Sequence, residues 1–475
     1  MSGAALWTSQ DVAAATGGRA RAPWTAGGIS IDSRTIAPGD LFVALAGPSF
    51  DGHDFIAAAL AAGAAGVLAH RVPDGLPDDA PLLLVDDTLV ALTALGTAGR
   101  ARATGLLAAI TGSVGKTGCK EALRLCLEDQ APTHASARSF NNHWGVPLSL
   151  ARMAPGAAYG VFEIGMNHPG EIAALTRQVR PHVSLITTIE PVHIEFFDSV
   201  ADIADAKAEI FQGMDARGVA VLNRDNPFFP QLVERALERG LGRIIAFGRH
   251  GEADVRLVDH SPGPAGNRVS ALVEGRPVDY WIALPGRHWV INSLAVLATV
   301  QALGADVERA AQSLGRVQVL DGRGKQHRLA LADGELLLID DSYNANPTSV
   351  KAAVAVLGET APPAGGRRIA VLGDMLELGA GAREMHVGLA PALTRAGVDL
   401  VFCCGQHMAA LDAALPAALR GGHATSSAEL VPLVTEALGA GDRVLVKGSL
   451  GSRMAVLVSA IMALGETGPR RANGD

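Results

Sequence analysis

Cysteine is scarce in this chain, with four in 475 residues. Cys119, Cys126, Cys403 and Cys404 form no CxxC pair and have no histidine partner at zinc spacing, which argues against a disulfide framework and a structural zinc site. They read as reduced thiols in packing roles. Aromatic residues are also few, at 4%, and no basic run carries interleaved aromatics. Together with a formal net charge of -8 this argues against nucleic acid as a partner. Small anionic ligands need only a local cationic pocket and stay allowed. No window approaches about 18 uninterrupted apolar residues. The opening "MSGAALWTSQDVAAATGG" has no cationic start followed by a long apolar core. The expectation is a cytoplasmic protein without membrane insertion.

What the chain does have is apolar sequence, at 48%, over a length that suggests about three domains. From Gly28 to His70 apolar and polar residues alternate, break at Pro38-Gly39, run apolar again and then become Ala-rich at helical spacing. This predicts a small α/β domain over 1–103. From Leu106 the texture changes to "LLAAIT", "YGVFEIG", "VSLITTI", "GVAVLN" and "RIIAFG", apolar runs that each precede a helical stretch. Such runs fit parallel strands covered on both faces, in a central domain over 104–323. Glycine and charge rise in "GRVQVLDGRGKQHRL", which marks the second boundary. The series "GELLLIDD", "RRIAVLGD", "DLVFCCG" and "DRVLVKGS" then predicts a third, Rossmann-like domain over 324–475. The fold class is α/β in three domains, the last two doubly wound. "ETAPPAGG" reads as a surface loop and "GETGPRRANGD" as a frayed tail.

The most chemical stretch is "LLAAITGSVGKTGCKEAL", a strand, a glycine turn and a helix. In it Gly112, Ser113, Val114 and Gly115 form a turn whose glycines let backbone amides approach a phosphate, while the helix N-terminus adds partial positive charge. Lys116 would reach the outer phosphates and Thr117 would ligate Mg²⁺. The full phosphate-loop spacing is not met, because Ile110 stands where its first glycine belongs. The bland alternative is a plain strand-helix turn.

A bound ATP needs metal, and three later segments supply ligand types. "VFEIGMNHPGEI" places Glu163 just past an apolar run, "TTIEPVHIEFFDS" places His193 likewise, and "ADAKAEIF" carries Lys207 inside a helix. Strand-end residues converge on the crevice where parallel sheets bind ligands. Each has a plainer reading: a solvated loop Glu, a satisfied His, and a solvent-face Lys near Glu209.

These segments, with "SFNNHWGVPLSL", "LPGRHWVIN", "DDSYNANPTS", "LGDMLELG" and "LVKGS", stand in the order seen in the Mur ligases of peptidoglycan synthesis, which the chain resembles over nearly its whole length. The resemblance is nearest to the branch that adds D-Ala-D-Ala to UDP-N-acetylmuramoyl-tripeptide. It implies a UDP-sugar-binding first domain, a P-loop NTPase-like central domain and a C-terminal ligase domain. It also implies ATP-dependent amide formation through an acyl phosphate, in cell wall biogenesis. By resemblance Lys116, His193 and Lys207 are catalytic. Thr117 and Glu163 hold one of two Mg²⁺ ions and His193 contributes to the second. Lys207 matches a lysine that is carbamylated in many relatives, which turns a cation into an oxygen ligand. Asn292, Arg323 and Asp341 match positions at the adenine, a phosphate and the ribose. Ser33 and Arg34 match the segment that holds the uridine diphosphate, and Asn141, Asn142 and Gly145 the loop facing the muramoyl-peptide. A monomer is expected.

The third-residue-adding ligases usually carry a DNPR motif in the last domain, whereas "DNPF" occurs here only at Asp225 to Phe228. Folylpolyglutamate synthetase shares the core but not the first domain. A non-catalytic nucleotide-binding protein would be marked by loss of Lys116, Glu163, His193 or Lys207, and all four are present. Two positions depart from the family pattern: Trp289, where relatives often have Asn, and Gly118-Cys119 after Thr117, where they commonly have two threonines.

Overall fold

In the computed structural model, residues 5–47, 50–137, 140–263 and 266–466 are described. The tail from 467 on lies outside them, as do Arg138 and Ser139 just before the Asn141 segment. The chain forms two compact units. The first runs up to Thr187 and takes in Ala204–Phe247 and Ala295–Ala310. The second comprises Thr188–Ile203, Gly248–Leu294 and the chain from Ala311 on.

The first unit holds two larger sheets besides two short two-stranded pairs. The N-terminal one has the order Arg19–Ala20, Leu82–Leu84, Gly66–Ala69, Asp40–Val43, Gly28–Ser30, all parallel except the first pair. Its core joins Trp7, Ile29, Leu41 and Leu83 to Leu92 and Leu95 of the helix Thr88–Arg102, and to Leu148 and Ala151 of the helix Gly145–Arg152. The two helices pack tightly because small residues face the contact. A Cβ on Gly99 would lie 2.4 Å from the Leu150 carbonyl oxygen. The indole of Trp7 donates to Ala151 O at 2.8 Å, and the Arg102 guanidinium lies 3.6 Å over the Trp7 ring.

In the second sheet of this unit six parallel strands take the order Thr133–Ala135, Tyr159–Glu163, Leu106–Thr111, Val183–Ile186, Val219–Asn223, Arg243–Gly248. Five are the apolar runs singled out in the sequence. From Leu106–Thr111 the chain goes to the edge strand Thr133–Ala135, comes back through Tyr159–Glu163 and then crosses to Val183–Ile186 on the other side, so the strand order reverses at Leu106–Thr111. Such a switch point is where open α/β sheets bind ligands.

The second unit contains an antiparallel meander, Val255–Gly263, Gly266–Val273 and Arg276–Ile282. It also contains a six-stranded sheet in the order Lys325–Leu331, Gly334–Asp341, Arg443–Lys447, Arg368–Gly373, Leu400–Cys404, Arg420–Ala424. Only the first pair of that sheet is antiparallel. Ile339, Ala370, Leu372 and Leu445 pack on one face and Leu338, Ile369, Val371 and Val444 on the other, the two-sided burial of a doubly wound sheet. No helix among the described residues is long and apolar enough to cross a membrane. All four cysteines are buried thiols outside any disulfide. Burial pushes the thiol of Cys119 up to about 12 and that of Cys404 up to about 11, so neither is a nucleophile at neutral pH.

Candidate active site

At the switch point the strand Leu106–Thr111 runs into Gly112 and Gly115, with φ of 140° and 88°, and the helix Lys116–Glu128 follows. No side chain caps this helix, whose N-terminus carries partial positive charge. A Cβ at Gly112 would sit 2.0 Å from Thr187 Oγ1, so only glycine fits there. Thr187 Oγ1 donates to Val114 O at 2.6 Å and fixes the loop from the neighbouring strand's end. Lys116 Nζ folds back over its own loop, donating to Gly112 O at 2.7 Å and Ser113 O at 3.4 Å. Thr117, in the first turn, is buried.

Glu163 is 1% exposed at the end of the adjacent strand. Its Oε1 accepts from Asn141 Nδ2 at 2.8 Å, whereas Oε2 is buried without a hydrogen-bond partner. The hydroxyl of Thr111, at the end of the central strand, is likewise buried and unpartnered. Lys207 is 2% exposed, which rules out the solvent-face reading. Its neighbour Glu209 is engaged elsewhere, accepting from Gly170 N at 2.6 Å and Ala173 N at 3.0 Å. Burial, and then the charge of Lys116, drive the Lys207 amine well below its usual range.

Asn142 and Gly145 stand on the same segment as Asn141. Asn142 Oδ1 accepts from Gly145 N at 2.9 Å, and Gly145 starts the helix Gly145–Arg152 against the Phe140 backbone. In the N-terminal sheet region Ser33 and Arg34 lie on the short helix Ser33–Thr35. The exposed guanidinium of Arg34 is forked onto Asp32, at 2.9 Å through Nε and 2.7 Å through Nη2.

The second unit holds the remaining candidates. His193 has a left-handed backbone, φ 59°, and its Nδ1 contacts Glu377 Oε2. Asp341 ends the strand Gly334–Asp341, where its Oδ2 accepts from the buried Lys447 at 2.7 Å. Burial raises the Asp341 carboxyl, opposed by the Lys447 charge. Arg323 lies with its guanidinium 4.2 Å over the Tyr343 ring, on a turn whose Gly322 N donates to Asp340 Oδ2 at 3.2 Å. Asn292 lies in the second turn of the helix Arg287–Ala302 and so is not its N-cap. Trp289, half-buried in that helix, has its ring 5.9 Å from that of His288.

Models of Mur ligase domains match this chain in order. The Mur ligase family catalytic domain matches residues 25–88, the Mur ligase middle domain 110–300, and the Mur ligase glutamate ligase domain 327–450. The UDP-N-acetylmuramoyl-tripeptide--D-alanyl-D-alanine ligase of Escherichia coli (strain K12) is 35% identical over 445 residues, covering 93% of this chain and 94% of that relative. The chain belongs to the Mur ligase family. Among solved structures this Mur ligase is similar to MurF from Acinetobacter baumannii, with a TM-score of 0.82 at 30% identity over 96% of this chain and 99% of that one. It is similar also to the MurF ligase from Thermotoga maritima in complex with ADP, with a TM-score of 0.75 at 25% identity over 92% and 98%.

The first unit of this Mur ligase thus contains the glycine turn 112–115, Glu163, Lys207 and the Asn141 segment, and the second contains His193, Asn292, Arg323 and Asp341. Sequence reasoning missed Thr187, Lys447 and Glu377 as partners of these residues. The signals were present as the paired threonines of "LITTIE" and the polar residues of "LVKGS" and "LGDMLELG".

Proposed function

We propose that this Mur ligase joins D-Ala-D-Ala to UDP-N-acetylmuramoyl-tripeptide at the expense of ATP, in cytoplasmic peptidoglycan precursor synthesis, and acts as a monomer of three domains, 1–103, 104–323 and 324–475. The observation that carries the reading is the uncapped helix behind the glycine turn, flanked by the unpartnered oxygen of Glu163 and the buried Lys207, in a chain 35% identical over 93% of its length to a ligase of that name.

Two anions meet when a carboxylate attacks the γ-phosphate, so cations and aligned amides must stabilise the transferring group. In this chain the amides of Gly112 to Gly115 cradle the phosphates, and Lys116 swings from its own carbonyls to the outer ones. The orphaned Glu163 Oε2 and the Thr117 hydroxyl suit a hard cation. No three His, Cys, Asp or Glu side chains gather among the described residues, so phosphate oxygens would complete the coordination. Bound Mg²⁺ supplies charge neutralisation at the phosphates. Burial favours the neutral form of the Lys207 amine, the form that adds carbon dioxide with loss of one N–H proton to solvent, and the resulting carbamate would put an anionic oxygen ligand in place of the amine. His193 would contribute to a second ion. On the nucleotide side Asp341 suits the ribose hydroxyls, Asn292 the adenine edge and Arg323 a phosphate. Ser33 and Arg34 would take the uridine diphosphate, and Asn141, Asn142 and Gly145 would face the peptide.

The test is phosphate release from ATP and Mg²⁺ with the UDP-tripeptide and D-Ala-D-Ala added separately and together. Release with formation of the pentapeptide only when both are present is expected. Turnover with a UDP-dipeptide and a diamino acid instead would make it the third-residue-adding type, and silence under all conditions would make it a non-catalytic member of the fold.

A further inference from the structure

His193 and Glu377 stand 184 residues apart in the chain, yet the imidazole Nδ1 meets the carboxylate Oε2 directly. Both residues have left-handed backbones, φ 59° and 62°, a conformation that non-glycine residues keep only where the surroundings impose it. The surroundings do so on both sides. The Glu195 amide donates to Glu377 O at 3.4 Å, and a Cβ on Gly379 would lie 3.2 Å from Glu195 Cα, so the two loops touch through their backbones. The loop that carries Glu377 is pinned at its base. Met375 N donates to His386 Nε2 at 3.0 Å, while His386 Nδ1 contacts Ala382 O at 2.6 Å. Leu376 N donates to Ser449 Oγ at 3.0 Å. Beneath them Asp374 accepts from Met408 N at 2.8 Å.

We propose that Glu377 is a positioning residue for His193, whose carboxylate keeps the imidazole proton on Nδ1 and so leaves Nε2 as the unprotonated nitrogen. A carboxylate accepts and does not donate, so the proton of the shared bond belongs to the imidazole. The histidine side chain free in water favours the opposite tautomer, with the proton on Nε2. The ring that Glu377 holds therefore has Nε2 already in the unprotonated form that a cation or an acidic proton requires. The same arrangement behind metal-bound histidines fixes both tautomer and ring direction. The inference rests on the reading of His193 as a group acting at the phosphates.

The test uses the full chain with ¹⁵N-labelled histidine, without nucleotide, at a pH where the ring is neutral. Long-range ¹H–¹⁵N correlations give the tautomer of His193, assigned by its loss in His193→Gln. The wild type should show a protonated Nδ1. Glu377→Gln should keep that pattern, because its amide oxygen still accepts, and Glu377→Ala and the bulkier Glu377→Met should move the proton to Nε2. In the ligase assay Glu377→Ala should lower kcat about 10- to 100-fold with KM for ATP changed by less than about threefold, and Glu377→Gln should retain more of kcat. An unmoved tautomer in both Glu377→Ala and Glu377→Met overturns the proposal whatever happens to activity. So does a moved tautomer with kcat unchanged. If the protein proves to have no ligase activity, the proposed function fails, while the resonance measurement still decides what Glu377 does to the ring.

Discussion

Asn141 donates its side-chain amide to one oxygen of Glu163 at 2.8 Å, and the other oxygen of the same carboxylate is buried with nothing to bind it. An unpartnered buried acceptor costs stability that only a ligand returns. Glu163→Gln should therefore leave the ligand-free protein as stable as the wild type or more stable, by about 1 kcal/mol, because an amide is cheaper to bury than a carboxylate. Turnover should fall by at least about 100-fold. Thermal melts and phosphate release on the same samples check this. A clear loss of stability, with turnover kept, would mean that the carboxylate serves the fold.

Lys207 makes the companion case with a buried basic group. Its amine is 2% exposed and held well below its usual range by burial and by the charge of Lys116. Lys207→Met keeps the volume and removes the amine, so the melting temperature should hold or rise while ligase turnover drops on the order of 100-fold. Retained turnover in the variant would remove Lys207 from the chemistry.

His134, on the edge strand Thr133–Ala135, should make stability fall in mild acid. Burial lowers its ring to about 4, and Nε2 is buried without a partner. The unfolded chain takes up the proton near 6.5. Between pH 6.5 and about 4 the unfolded state thus binds the proton that the folded ring refuses. The stability present above that window is lost as pH falls through it, by at most about 3 kcal/mol before solvent screening reduces it. Denaturant unfolding from pH 7 to 4 should show a shallower decline for His134→Gln than for the wild type. Equal declines would show that another group carries the effect.

The features legible in the sequence were the local ones. An apolar run followed by glycine specifies a buried parallel strand and its turn within a dozen residues, so Leu106–Thr111, Tyr159–Glu163, Gly334–Asp341 and Arg443–Lys447 could be read directly. The edge strands Thr133–Ala135 and Arg420–Ala424 could not, because a half-buried edge needs little apolar sequence and "RGGHA" looks like a loop. The meander over Val255–Ile282 was missed although "VSALV" and "VDYWI" alternate in the manner of half-buried strands. At the site, residue types were legible and their partners were not. Thr187 reaches Val114 across 73 positions and Lys447 reaches Asp341 across 106, distances at which only the folded chain makes neighbours. The burial of Lys207 was illegible for the same reason, since a lysine four residues before a phenylalanine looks the same on a wet helix as on a dry one.

The helix pair made by Thr88–Arg102 and Gly145–Arg152 bears on how this chain could be taken apart. Glycine on one helix lets the backbone of the other close in, and the indole of Trp7 binds to Ala151, so the N-terminal sheet completes its interior with residues the chain supplies only after the phosphate loop has been made. A graft that exchanged the N-terminal portion between relatives at the junction near residue 103 would separate Leu92 and Leu95 from Leu148 and Ala151. The exchangeable piece must carry its partner helix with it.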